Sequence, residues 1–339
     1  MAKLRYKLLD LETAAPFGIS RWTNTLFRNF YLELLDSQGN VGRGEGAPNQ
    51  RYGETRRDDA ARLKEVGGVV AHLQGPAAIE DFAAEQAAAL PALRAALSAA
   101  AWDLAGKQAG RPVWELLGLQ RPETQTSYTI AVDEPEAMIA HARAATPFEV
   151  LKVKLGFDGD VEVARRLVDA LPEKRFRYDA NEGWSREGAA RALEALAALG
   201  AELVEQPLPA ADVEGQDWLH ERSPVPLFAD EALLDLEQLD EIYELYDGCV
   251  IKLDKAGGIA SAFSLVSAAR GRGLQVLLGC MVSSTLGIAA GLQLAGLVDF
   301  VDLDGALLLA RDPFTGIEID GDVLRASEAP GLGVEPADS

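Results

Sequence analysis

From about Gln125 the chain keeps a steady rhythm: a short apolar run, a helix-length stretch rich in alanine, then another run. The runs are TSYTIAV, EVLKVKLG, RFRYDANEG, ELVEQPL, PLFADEA, GCVIKLDKAGG, LQVLLGCM and FVDLDGA. Apolar strands separated by helices predict a parallel sheet covered on both faces. Eight such units at a spacing of about 25 residues predict a (β/α)8-type barrel. The rival is an open doubly wound sheet, but no Gly-x-Gly-x-x-Gly follows a first strand to support it.

The N-terminal part follows a different pattern. RYKLLDLET and LFRNFYLELLDSQGNVGRGEGAP read as two strands, with SQGN supplying turn chemistry. From about Thr55 to Leu117 the pattern is helical, ending in ALSAAAWDLAGKQAGRPVWELLGL. This predicts a separate α+β module. The stretch beyond Asp304 matches neither rhythm and is expected to return to the N-terminal module as a strand and a turn.

Polar residues gather at the C-terminal ends of the barrel runs, where a barrel of this kind carries its active site. Lys154 to Asp179 is 25 residues, Asp179 to Glu205 is 26, and Glu205 to Asp230 is 25. Each step is one strand–helix unit, so three carboxylates come from three neighbouring strands. A single Asp at a strand end is ordinarily a helix cap or the partner of a lysine. Three in register need a counter-charge, because buried like charges are costly alone. An oxygen-only set suits a hard cation, with Mg2+ the default.

Lys152 and Lys154 lie two apart on one run, so they point to the same face. Their repulsion is expected to lower the pKa of one toward neutrality, as a lysine base requires. Lys252 belongs to a run four units further round, roughly across the barrel. A carbon held between them could lose a proton to one lysine and regain it from the other. The bland alternative is that the lysines only neutralise the acidic ring. Lys255 has the opposite strand parity to Lys252 and is not expected in the site. His72, His141 and His220 fall at no strand end, which argues against a histidine base. Cys280 ends the seventh run without a histidine partner and reads as a wall residue rather than a nucleophile. Gly257-Gly258 reads as a strand-to-helix turn rather than an anion nest.

The 339 residues carry a net charge of -21, which argues against nucleic acid or an anionic membrane as partner. Cys249 and Cys280 are too few for a disulfide framework, and a reducing compartment fits. The apolar run AAALPALRAALSAAAWDLAG is broken by Pro91, Arg94 and Asp103 and reads as buried helices rather than a membrane span. No apolar signal region is visible near Met1. The expected location is the cytoplasm, as a single chain or a homo-oligomer.

The order Lys-x-Lys, Asp-x-Asn, Glu-Gln-Pro, Ala-Asp-Glu and Ile-Lys-x-x-Lys-x-Gly-Gly resembles the enolase superfamily, and within it the muconate-lactonizing-enzyme-like subgroup. The resemblance covers nearly the whole chain. It implies a modified (β/α)7β barrel of the TIM type, residues 119–314. It also implies an α+β N-terminal capping domain, residues 1–118, completed by the tail 315–339. Carried over position by position, Asp179, Glu205 and Asp230 match the Mg2+ ligands. Lys154 and Lys252 match the two acid/base residues, and Lys152 would tune Lys154 and face the substrate carboxylate. DLDG resembles the Asp-x-Asp motif of the subgroup's dipeptide epimerases, in which Asp302 and Asp304 would bind the substrate's ammonium group. FGISRW and APNQRYGET resemble the two capping loops of the L-Ala-D/L-Glu epimerases. By that likeness Arg21 would pair with a glutamyl side chain, and Thr129 and Cys280 would line the site. The implied reaction is inversion of the α-carbon of a dipeptide's second residue, with cell-wall peptide metabolism as its setting. The alternatives in the same fold are an o-succinylbenzoate synthase or N-succinylamino acid racemase, and a dipeptide epimerase with another second-residue preference. A non-catalytic relative binding a ligand on the same barrel is the reading from a different class.

Overall fold

The N-terminal residues build a three-stranded antiparallel meander, β1 (Lys3–Ile19), β2 (Trp22–Leu35) and β3 (Val41–Gly46), in a computed structural model that describes residues 3–337. The sequence pattern predicts two strands. The third strand is β3, which follows the SQGN turn and pairs back on β2; β1 in addition runs on past Thr13 to Ile19 and turns back at Ser20 and Arg21. Pro16 and Gly18 make that stretch read as loop. The register of β1 on β2 shifts between Glu12 and Phe17, so Pro16 sits at an irregularity where a missing N–H costs no ladder bond. The segment FGISRW is therefore the tip of a hairpin, held over the barrel.

Three helices, α1 (Arg56–Val70), α2 (Gly75–Gln86) and α3 (Pro91–Ala109), cover one face of this sheet. Helix α3 begins with Pro at its first turn, and the Ala92 and Leu93 amides donate to the Glu54 carboxylate. Its close approach to β3 explains the alternation in VGRGEG. A Cβ on Gly44 would lie 2.1 Å from the Ala96 carbonyl oxygen, so only glycine fits that face. The opposite face of β3 carries Glu45, which is buried against the barrel and accepts from Asn29 (2.7 Å) and Ser284 N (3.2 Å).

After α4 (Val113–Leu116) and β4 (Glu123–Gln125), eight strands form one parallel sheet: β5 (Tyr128–Ile130), β6 (Val150–Lys154), β7 (Arg175–Asp179), β8 (Leu203–Glu205), β9 (Leu227–Ala229), β10 (Gly248–Ile251), β11 (Gln275–Gly279) and β12 (Phe300–Asp302). They neighbour each other in chain order, as consecutive βα units do. The first and last strands meet through Ser127 N to Val301 O (3.2 Å) and Leu303 N to the Thr126 hydroxyl (2.8 Å), which brings the sheet nearly to closure. The covering helices are α5 (Pro135–Ala144), α6 (Asp160–Ala170), α7 (Arg186–Ala198), α8 (Val213–His220), α9 (Leu239–Leu245), α10 (Leu253–Ala256) with α11 (Ile259–Gly271), and α12 (Thr285–Leu292). No helix follows β12 among the described residues, so the barrel is of the (β/α)7β form that the resemblance implied.

The tail makes short pairings with both parts. β13 (Phe314–Thr315) pairs with β16 (Glu335–Pro336), and the hairpin β14 (Glu318–Asp320) and β15 (Val323–Arg325) adds to β4. Leu332 N then donates to Asp103 of α3 at 2.8 Å, and Val113 N donates to the Gly331 carbonyl at 2.9 Å. Gly257 and Gly258, at φ 86° and 123°, form the turn between α10 and α11 and lie directly under Arg94 and Ser98 of α3. They serve as a joint between the two parts of the molecule. Among the described residues no helix is long and apolar enough to cross a membrane.

Candidate active site

Alternate residues of each barrel strand face the axis, so most strands contribute an apolar or paired residue below and a charged one above, with β5 and β11 contributing no charge. Leu203, Phe228, Val250, Leu277 and Phe300 close the floor, with the Arg177 guanidinium over the Phe300 ring at 4.8 Å. Two positions further along the strands stand Lys154, Asp179, Glu205, Asp230, Lys252 and Asp302, all buried. Lys154 is in register with Asp179, and Asp179 with Glu205. The 25- and 26-residue spacings thus become lateral neighbours.

Asp179, Glu205 and Asp230 bring one carboxylate oxygen each to within 4.8 Å of one another. Glu205 Oε1 has no hydrogen-bond partner, and Lys152 Nζ lies 2.8 Å from its other oxygen without hydrogen-bond geometry. Burial, reinforced by the Asp179 charge, pushes the Glu205 carboxyl well above the usual carboxylate range. Around Asp230 and Asp179, burial is outweighed by the neighbouring lysines, which hold both below that range. An oxygen-only set with an unsatisfied, buried carboxylate fits a divalent hard cation.

Lys154 and Lys252 each hold a different carboxylate of the triad. Lys154 Nζ donates to Asp179 at 2.6 Å, and Lys252 Nζ to Asp230 at 2.7 Å. Lys152 lies between Glu205 and Asp302, 2.8 Å from each. Mutual repulsion was expected to lower the pKa of one member of the Lys152–Lys154 pair. Lys152, the member read as tuning Lys154, is governed by carboxylates rather than by its fellow lysine. Burial works against its charge, but Asp302, Glu205 and Asp179 outweigh it and raise its pKa well above the ordinary lysine value. Lys252 is raised in the same way, with Asp230 overcoming burial. β6 and β10 are separated by three strands in the sheet order, so Lys154 and Lys252 stand on opposite sides of the barrel mouth.

Asp302 accepts from the Ser127 hydroxyl (2.5 Å) and from Lys152 (2.8 Å), and Asp304 accepts from the Thr129 amide (2.6 Å). Burial, then the Asp302 charge, pushes Asp304 up to about 7, whereas Lys152 holds Asp302 low against burial. Both are buried, so they are not the solvated loop pair that two acids in a turn would otherwise suggest. Thr129 orients Asp304 through its backbone.

A cavity of about 730 Å3 opens over Lys154, Asp230 and Lys252, whereas Asp302, Asp304 and Thr129, expected at the substrate, lie beneath its lining. Lys154, Lys252 and Cys280 line it from the barrel, Phe17, Arg21 and Trp22 from the hairpin tip, and Arg51 and Tyr52 from the turn after β3. Burial, then Asp304 and Asp302, raises the Cys280 thiol well above its usual value, which suits a wall residue better than a nucleophile. Arg21 is at the cavity, but its guanidinium is held by protein groups: Asn181 O (2.5 Å), Glu182 (2.8 Å) and Glu231 (2.7 Å). The three histidines lie on helices or a turn away from the cavity.

Sequence reasoning passed over Lys255. The parity argument assumed a continuing strand, whereas the chain leaves β10 at Ile251 and winds into α10. Lys255 Nζ thereby reaches Asp230 Oδ1 and O, both at 2.6 Å. The signal was present in the two glycines directly after Ala256, which mark a helix stop rather than a strand. Glu182 and Arg51 were also missed, because exposed-looking charges in loops reveal their partners only in three dimensions. Gln206, the middle residue of Glu-Gln-Pro, holds the Asp230 and Ala232 amides with its side-chain oxygen (3.0 and 3.1 Å) from a left-handed backbone at φ 38°.

Residues 136–339 match the family described as enolase C-terminal domain-like. Residues 5–118 match the mandelate racemase / muconate lactonizing enzyme N-terminal domain. An L-Ala-D/L-amino acid epimerase of Pedosphaera parvula is 35% identical over 305 residues, 88% of each chain. The substrate-liganded L-Ala-D/L-Glu epimerase of Bacillus subtilis superposes with a TM-score of 0.93 at 27% identity, over 99% of both chains. A dipeptide epimerase of Enterococcus faecalis, complexed with Mg and L-Leu-L-Tyr, gives 0.92 at 30% identity over 98% of both.

Proposed function

The chain belongs to the mandelate racemase / muconate lactonizing enzyme family of the enolase superfamily, and from that premise we propose that it is a Mg2+-dependent dipeptide epimerase. The observation that carries this reading is the pairing of two opposed lysines, Lys154 and Lys252, with a separate buried acid pair, Asp302 and Asp304, across the carboxylate triad. The lysines supply a proton acceptor and a proton donor. The acid pair supplies a reason for an ammonium group at the end of the substrate remote from the reacting carboxylate, where a succinylbenzoate precursor and the succinyl arm of an N-succinylamino acid carry no positive charge.

Asp179, Glu205 and Asp230 would hold the metal, which when bound neutralises the substrate carboxylate and stabilises negative charge developing beside it. A lysine base acting beside Mg2+ is the general arrangement of enolase-type sites. Lys154 and Lys252 face the α-carbon of the second residue from opposite sides. One lysine, neutral at its Nζ, takes the α-proton as the C–H bond breaks. The other, protonated, delivers its proton to the opposite face, and the configuration inverts. Lys152 holds Glu205 and Asp302 in place, and Lys255 and Gln206 orient Asp230. Asp302 and Asp304 receive the dipeptide's ammonium group, with Asp304 aimed by the Thr129 amide. Arg21, at the hairpin tip, lies on the cavity wall where the second residue's side chain would pass, and Cys280 forms wall opposite it. L-Ala-L-Glu is the first dipeptide to test.

The test is incubation of the enzyme with Mg2+ and a dipeptide library in D2O, followed by mass spectrometry and chiral analysis. One deuterium at the second residue's α-carbon, with inversion, is the expected result. Absence of exchange in every dipeptide would overturn the reading in favour of a non-catalytic relative.

A further inference from the structure

The wall of the cavity formed by the β1–β2 hairpin has an apolar part beside a polar one, the latter including Asn24, Arg28 and Asn29. Phe17, Trp22 and Phe27 form a cluster with ring centroids 5.9 to 6.3 Å apart, and Ile19 lies beside them. At the turn itself stands one guanidinium, Arg21. A side chain rising from a carbon held between Lys154 and Lys252 meets both surfaces, one that favours apolar groups and one that favours carboxylates. The balance between them depends on how much positive charge Arg21 presents.

That charge is countered by the chain itself. Arg21 binds Glu182 at 2.8 Å and Glu231 at 2.7 Å. Glu182 is shared: Arg51 reaches its two oxygens at 2.9 and 2.7 Å, and the Ala210 amide donates at 2.9 Å. Arg21, Arg51, Glu182 and Glu231 thus form a cluster whose formal charges cancel, while Arg28, Arg56 and Arg57 line the cavity further from the turn. The Glu182 carboxylate is about 10% exposed, so its pairing with Arg21 is screened less than a surface ion pair. Its backbone sits at φ 65°, unusual for a glutamate, and is fixed by donation from its N–H to the Gln206 carbonyl at 2.9 Å. The placement is therefore imposed by the barrel loop rather than chosen by a mobile side chain.

We propose that Glu182 is a specificity-determining residue that competes with the substrate for Arg21, and so sets the balance between acidic and apolar second residues. This rests on the dipeptide-epimerase reading. Glu182 touches neither the reacting carbon nor the triad, so it acts through Arg21.

The experiment compares kcat/KM for L-Ala-L-Glu and L-Ala-L-Phe, both read by α-proton exchange in D2O with Mg2+, in the parent and in Glu182→Gln. The expected result is a rise of about tenfold in the Glu/Phe ratio, the size one nearby charge gives at protein-surface screening. The ratio is the readout because loosening of the covering segments would slow both substrates together. Combining Glu182→Gln with Arg21→Met should cancel the rise. Arg51→Gln, which leaves Glu182 to Arg21 and the Ala210 amide, should move the ratio down or leave it unchanged. An unchanged ratio in Glu182→Gln, or a rise in Arg51→Gln, would overturn the proposal while leaving the epimerase reading intact. Loss of exchange with both dipeptides in the parent enzyme would overturn both. If Glu182→Gln does not fold, Glu182→Ala and Glu182→Met are read instead, a raised Glu/Phe ratio supporting the proposal and an unchanged or lowered one overturning it.

Discussion

At the scale of single residues, the site is a set of charges each made tolerable by another. Lys154 and Lys252 stand on different strands and hold different carboxylates, so their roles are separable. Lys154→Ala and Lys252→Ala should each lower epimerisation by about 10^3-fold or more, the scale of a lost general base or acid. Each variant should retain α-proton exchange from the face of the surviving lysine, for one configuration of the dipeptide. Full interconversion in either variant, followed by chiral chromatography, would count against the two-base scheme. A second residue-scale prediction concerns Asp254, which accepts from the Ala47 amide at 2.8 Å and is half-buried where cap meets barrel. Burial pushes its pKa from 3.8 up to about 7, so the folded state keeps this proton longer than the unfolded chain does. Its contribution to stability is therefore lost as pH rises from about 4 to 7 and stays lost above. Asp254→Asn should thus gain on the parent from pH 5 to pH 8 by roughly 2 kcal/mol in thermal melts. A difference independent of pH would show that the group titrates normally.

At the scale of elements, the fit of α3 between sheet and barrel dominates. Its residues from Ala95 to Ala101 are buried all round, because β3 lies on one side and the Gly257-Gly258 turn on the other. Ser98 receives the Ile259 amide at 2.9 Å, and Glu80 of α2 accepts from Ser98 at 2.5 Å. Gly44→Ala would place a methyl 2.1 Å from the Ala96 carbonyl and 2.5 Å from the Ala100 amide. The cost should be about 2–3 kcal/mol, as for other overpacked contacts, and visible as a lower melting temperature. An unchanged melting temperature would mean that α3 can shift on the sheet without loss. Periodicity makes these helices legible. The hairpin tip reads as loop because Pro16 and Gly18 break the strand pattern, and only pairing with β2 across the register shift restores it.

At the scale of the molecule, a chain of net charge -21 concentrates three carboxylates around one point with an unsatisfied oxygen at Glu205. A divalent cation should therefore raise stability as well as support turnover. At a hundredfold excess over its Kd the gain is about 2.7 kcal/mol, read as a concentration-dependent shift of the melting temperature. Glu205→Gln should flatten that dependence, and a parent protein indifferent to Mg2+ would refute the metal site. The barrel, its strand order and the convergence of Asp179, Glu205 and Asp230 were all determined by the sequence, because period and strand-end position are local properties that repeat every unit. The sequence also placed Lys154 opposite Lys252 by counting units. What it could not decide is which charges answer which. Lys152 is raised by Asp302, Glu205 and Asp179, Lys255 turned into the site on a helix, and Arg21 is bound by Glu182 and Glu231. Such pairings depend on distances of a few ångströms between segments far apart along the chain. Tertiary packing sets those distances, and with them the charge that a substrate meets.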